Sequence, residues 1–140
     1  MSATTTKQES VSLQQLAIWT IIAAVISAAL NAILYLVTQG QYAGLMVQGM
    51  EFSIANVIGA SIMFIVVGGI LLAVLDRFIS NPISTWRNVA IVALILSLAQ
   101  PFIPGLLEGD YTLTTQILLN VMHVIAGVVT IFLLTTRTRA

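Results

Sequence analysis

Four stretches of the chain are almost continuously apolar: residues 13–37, 54–75, 86–103 and 112–134. Each runs for about 18–25 residues, the length an α-helix needs to cross a ~30 Å hydrocarbon core. The first exceeds the ~7–15-residue apolar core of a secretory signal, so it is expected to be a retained helix. The connections over 38–53, 76–85 and 104–111 are short, polar or glycine-bearing. Short connections favour antiparallel neighbours. The pattern therefore predicts an all-α fold, a four-helix transmembrane bundle over residues 13–134 with up-down-up-down topology. Residues 1–12 are expected to form a disordered tail and residues 135–140 a second tail. Asn81-Pro82 is a helix-breaking pair, with Ser84 and Asp110 as the expected caps of the third and fourth helices.

The polar positions inside the apolar stretches are few and patterned. Gln116, Asn120, His123, Gly127 and Thr130 recur at steps of four and three, so they share one helix face within roughly 80°. His123 is the only histidine of the chain. Thr20, Ala24, Ser27 and Asn31 form a small and polar stripe on the first helix, and Ala90, Ala93, Ser97 and Gln100 one on the third. Asn56, Gly59 and Met63 share a face of the second. Small residues let helix backbones approach closely, and amides bond across the gap. At 1.5 Å rise per residue, Asn56 and Gln100 lie about 3–5 Å below the end of their helices, and Gln116 and Asn31 about 6–9 Å. Asn120 lies about 12 Å down and His123 about 16 Å, near the midplane. Two readings follow. Asn31, Asn56, Gln100, Gln116, Asn120 and His123 either link the helices by hydrogen bonds in a dry core, or line a polar vestibule open to the outside with His123 at its base.

Composition fixes the class. Hydrophobic residues make up 59% of the chain and charged residues 7%, against about 25% charged in a soluble domain. So few charges cannot cover a water-facing surface. Charge then orients the bundle. With the N-terminus inside, the interior segments hold Lys7, Arg77, Arg87, Arg137 and Arg139, all the basic residues of the chain. The two exterior loops hold only Glu51, Glu108 and Asp110. The positive-inside rule therefore predicts cytoplasmic termini and a cell (inner) membrane location. The zero net charge argues against nucleic acid as a partner. The chain has no cysteine, which removes disulfides and thiolate chemistry. A single histidine makes no His-Glu-x-x-His zinc site, and neither a Gly-x-Ser-x-Gly turn nor a phosphate loop is present. Neither a cofactor nor a metal is expected, and the chain is not expected to be an enzyme.

The strings LNAILYLV (30–37), LDRF (75–78), LSLAQPF (96–102) and MHVIAGVV (122–129) occur in this order along the chain. Together they resemble a family of short bacterial four-span membrane proteins of unknown function. Its specific elements are Asn31 followed by Tyr35, a proline near the end of the third helix, and Met122-His123 in the fourth. The family pattern places a second proline beside the first, whereas here Gln100 precedes Pro101, so no role of a proline pair is carried over. The resemblance implies the fold and a membrane location, and no activity, cofactor or catalytic residue.

The expected function is non-enzymatic binding of a partner protein, a lipid or a small ligand through the bundle. The expected surroundings are the lipid bilayer, with a homo-oligomer or a membrane protein partner. The alternative is a transport or proton-linked role through the outward-facing vestibule, with His123 as the titrating group. A lipid-directed intramembrane enzyme using His123 as base lacks an accompanying nucleophile or metal set.

Overall fold

Ser12 leaves an extended backbone and accepts a hydrogen bond from Gln15 N, which starts α1, Leu13–Thr38. The computed structural model describes residues 8–140; the tail expected over residues 1–7 lies outside them. Three further helices follow, α2 Ile54–Phe78, α3 Pro82–Ser97 and α4 Leu113–Arg137. Together with the turn that extends α3 to Phe102, all four are long and apolar enough to cross a membrane. They run up-down-up-down and make the chain a multi-pass membrane bundle.

Close approach of backbones organises the packing. The buried face of α1 is Leu16, Thr20, Ala23, Ala24, Ser27, Ala28 and Asn31, mostly small residues. Without a hydrophobic drive between helices in lipid, such faces let van der Waals contact hold them together. On α2 the buried face is Val57, Ser61, Ile65, Gly69 and Leu72. Gly69 lies against Thr20, so close that a Cβ there would fall 2.6 Å from the threonine hydroxyl oxygen. The stripe expected on α2 is corrected: Gly59 has open space beside it and Met63 is exposed, so that face looks away from the core. On α3 only Pro82, Ile83 and Trp86 are buried. The helix is embedded at its start; beyond Trp86 its close contact is to α4, where Leu94 lies against Gly127.

The boundaries of α3 also differ from expectation. Pro82 stands at the first helical position, with Asn81 before it, where a proline loses nothing because that N–H has no helical partner. The helix ends at Ser97, and a 3-10 turn over Gln100–Phe102 carries the chain through Pro101. The expected cap of α4, Asp110, is replaced by Thr112, which exchanges hydrogen bonds with Thr115.

Each end of the bundle is closed by chain segments. At the loop end a small antiparallel sheet forms from β1 Leu45–Val47, β2 Met50–Glu51 and β3 Leu107–Gly109, in the order β2-β1-β3. Gln48 and Gly49 join β1 to β2 with φ of 52° and 75°, the pair of left-handed residues that a tight hairpin needs. Beneath the sheet, Tyr42, Leu45, Val57, Leu107, Leu119 and Met122 form an apolar cluster. Tyr35 stacks on Tyr42 with ring centres 5.1 Å apart.

At the other end the two chain termini clasp each other. Ser12 N donates to Thr138 O at 2.8 Å and Ala140 N to Ser10 O at 3.0 Å. Residues 9–12 are thus held in place, where a free tail was expected. Val11 N donates to Asp76 Oδ1 at 3.0 Å. Glu9 reaches the start of α3, accepting from Ser84 Oγ at 2.6 Å and Ser84 N at 3.0 Å. Arg139 lies 3.6 Å from the same carboxylate. Ser84 therefore holds the helix start through a distant glutamate, with an anion placed at the positive end of the helix dipole.

The Ser84 hydroxyl first, then its backbone N–H and the charge of Arg139, hold the Glu9 carboxyl below the ordinary glutamate value of 4.5. A lowered folded value means that the unfolded chain takes up the proton first as pH falls. The contribution of Glu9 is therefore full above that ordinary value and is lost as pH drops through the lower folded one. Glu9→Gln is expected to cost about 1 kcal/mol at neutral pH. Unfolding midpoints in an SDS titration measure this: the gap between wild type and variant should stay constant from pH 7 to 5 and close in stronger acid. A gap unchanged by acid would show that the carboxylate does not carry the effect.

Candidate functional site

Beyond Trp86 the separation of α3 from α2 leaves a cleft. A cavity of about 380 Å³ lies between α2, α3 and α4. It runs from Trp86, Gly68 and Leu71 near the clasp to Phe52, Asn56 and Gln100 near the sheet. From Trp86 to Ser97 this is about 16 Å of helix. The walls are chiefly apolar. Phe64, Val67 and Val89 line it and are at the same time exposed, so the cleft opens sideways, toward the hydrocarbon, between α2 and α3. The small stripe of Ala90, Ala93, Ser97 and Gln100 on α3 faces this space and not a packed helix.

Trp86 sets the closed end of the cleft. It is buried and its Nε1–H donates to Gly68 O at 2.8 Å. It packs with Leu16, Leu72, Ile83 and Leu134, a cluster contributed by all four helices. Its pairing with Gly68, a residue without a side chain in the way, is not legible from its position along the chain.

The six expected site residues separate. Asn31, Asn56, Gln100 and His123 line the cleft, whereas Gln116 and Asn120 do not. Gln116 Nε2 donates to Pro101 O at 2.8 Å and ties α4 to the end of α3. Asn120 Oδ1 is buried without a partner among the described residues. Asn56 Oδ1 accepts from Ser53 N and Ser53 Oγ, both at 2.8 Å, and so serves the start of α2. Gln100 stands at the sheet end of the cleft in the turn after α3. Asn31 is 2% exposed and joins three helices: its Nδ2 donates to Ser61 Oγ at 3.1 Å and to Met122 O at 3.2 Å. Ser61, which was not singled out, completes that link.

His123 sits about 15 Å into α4 from Leu113. Its Nδ1 is 2.8 Å from Leu119 O. A carbonyl only accepts, so Nδ1 carries the proton, and in the neutral ring Nε2 keeps a free lone pair. The histidine is half-buried on the cleft wall. On the same face, Gly127 and Thr130 also line the cleft, and Gly127 lies beside the side chain of Leu94.

These positions replace the expected polar vestibule. The axis of the bundle at the loop end is filled by the apolar cluster under the sheet. The open space lies to one side of it and is lined mainly by carbon. The physical reason is that the connections over 38–53 and 104–111, expected to be loops at a mouth, pair with each other through β1 and β3 and pack down onto the helices.

A family profile matches residues 11–140. The chain belongs to a family of unknown function, DUF6069. The match takes in the four helices, the sheet and the cleft. No curated protein and no solved structure matches the chain. Membership of DUF6069 therefore agrees with the resemblance in the sequence, and the chemistry of the cleft has to be argued from its own residues.

Proposed function

We propose that the protein binds an apolar or amphiphilic molecule drawn from the bilayer, without transforming it, in the cleft between α2, α3 and α4. The cleft itself carries this reading. Its volume of about 380 Å³ falls within the ~300–1,000 Å³ of small-molecule sites, which are mostly apolar with a few polar groups. Its side opening supports entry from the hydrocarbon, and the sheet over the bundle axis disfavours entry along that axis. His123 is held by a backbone carbonyl, an arrangement suited to fixed recognition. The clasp end carries Arg77, Arg87, Arg137 and Arg139, and by the positive-inside rule we place it in the cytoplasm.

Trp86 on the cleft wall offers a reporter. The full chain carrying Trp19→Phe, reconstituted in phosphatidylcholine vesicles, has Trp86 as its only indole. A single-chain amphiphile brominated along its chain is expected to quench Trp86 saturably at low mole fraction. Ala93→Phe, which fills the cleft from the α3 side, is expected to weaken that binding at least about fivefold. Quenching that rises only in proportion to bulk brominated lipid, and is the same in both proteins, would remove the cleft reading.

A further inference from the structure

We infer that the molecule held in the cleft carries a hydrogen-bond donor, a hydroxyl on a long apolar chain, and gives that hydrogen to His123 Nε2. This rests on the proposed binding in the cleft and specifies its ligand class. The polar side chains deep in the cleft have their hydrogens already committed. Ser61 Oγ donates to Val57 O at 2.8 Å, Ser97 Oγ to Leu94 O at 2.6 Å and Thr130 Oγ to Ala126 O at 2.6 Å. The Trp86 N–H is held by Gly68 O. Both amide hydrogens of Asn31 are taken by Ser61 and Met122, and its Oδ1 has no donor among the described residues. The proton of His123 is held on Leu119 O.

What remains at this depth is lone pairs. The cleft wall around the midplane can accept hydrogen bonds and has none to give. His123 Nε2 is the strongest of these acceptors, an imidazole nitrogen with no protein partner among the described residues. Among the described residues that line the cleft, side-chain N–H groups without a partner lie only at the sheet end, on Asn56 and Gln100. In hydrocarbon, water does not supply the missing hydrogens, so a polar group without a partner is costly there. A hydroxyl satisfies Nε2. An ether, ester or ketone oxygen placed there sets lone pair against lone pair. The small side chains of Ala90, Ala93 and Ala126 leave room for the attached chain to run toward Trp86.

The test uses the full chain with Trp86 as sole indole and two brominated probes of equal chain length, a primary alcohol and its methyl ether. The alcohol is expected to bind roughly tenfold more tightly than the ether. His123→Phe, which keeps a ring and removes the acceptor, is expected to abolish that preference: alcohol binding falls, and the ether, freed of the opposed lone pair, binds at least as tightly as to wild type. Retained ether binding also shows that the variant is folded. Should it not fold, His123→Gln supplies an amide oxygen acceptor in place of the ring, and is expected to retain a preference for the alcohol. Equal binding of both probes, each weakened by Ala93→Phe, would overturn the donor inference and leave the cleft reading standing. Absence of saturable quenching by either probe would overturn both.

Discussion

Trp86→Ala is expected to destabilise the bundle by about 3 kcal/mol, the low end of the range for truncating a buried aromatic. The indole is 2% exposed, and its cluster is the one built from all four helices. Lipid tails are as apolar as the side chains they would replace, so burial from water contributes little here. The loss comes from dispersion contacts across the void that an alanine leaves and from the hydrogen bond to Gly68 O. Beyond this point no residue of α3 is buried, so the remaining contacts of α3, to α4 through Leu94 and Pro101, have to hold it alone. An SDS titration followed by the fluorescence of Trp19, which then stands alone, measures the change. Trp86→Phe keeps most of the packing and is expected to lose about 1 kcal/mol. A midpoint for Trp86→Ala equal to that of wild type would show that α3 is anchored elsewhere.

Gly109→Ala is expected to open the small sheet, at a local cost of about 2–4 kcal/mol. Gly109 has φ of +76°, and a Cβ built there falls on the carbonyl oxygen of Gly44. That oxygen accepts from Asp110 N at 3.0 Å, so the neighbouring strands cannot separate without losing the bond. Gly105 provides the control. It has φ of +82° with nothing within 4 Å of a built Cβ, so Gly105→Ala carries backbone strain alone, about 1 kcal/mol. Amide hydrogen exchange reads the difference. Gly109→Ala should lose protection over 45–47 and 107–110 while the centres of α1 and α2 keep theirs. Protection of the sheet equal to that in Gly105→Ala would show that the close approach to Gly44 can relax.

These two sites bracket the cleft. Trp86 closes it at the clasp end, and the sheet covers the bundle axis at the other. Between them the polar groups of α1, α2 and α4 are used twice. Asn31 and Ser61 hold the helices together, and both also line the cleft.

Much of this was legible in the sequence, because hydrocarbon imposes it. Four long apolar stretches have to be helices, since a helix satisfies its own backbone where water is absent. The buried face of α1, Thr20, Ala24, Ser27 and Asn31, was visible as small and polar residues at helical spacing, and the structure buries all four. The depth of His123 followed from counting residues. The sheet had a local trace in Gln48-Gly49 between apolar residues, but β3 comes from a loop some sixty residues away, and no local pattern specifies such a pairing. The direction of each polar side chain depends on which neighbour is near. Gln116, Asn120 and His123 share a face of α4, yet one bonds Pro101, one has its amide oxygen buried without a partner among the described residues and one lines the cleft. Glu9 looked like part of a tail and holds the start of α3 from 75 residues away. The sequence by itself determined that there are four apolar spans, that the termini share one end, and how deep the polar residues lie, because helix period and membrane thickness are local constraints. Only the tertiary structure decided that α3 stands away from α2 beyond Trp86, that the space between them opens sideways, and that its walls present acceptors, because each depends on how much volume the side chains of different helices fill where they meet.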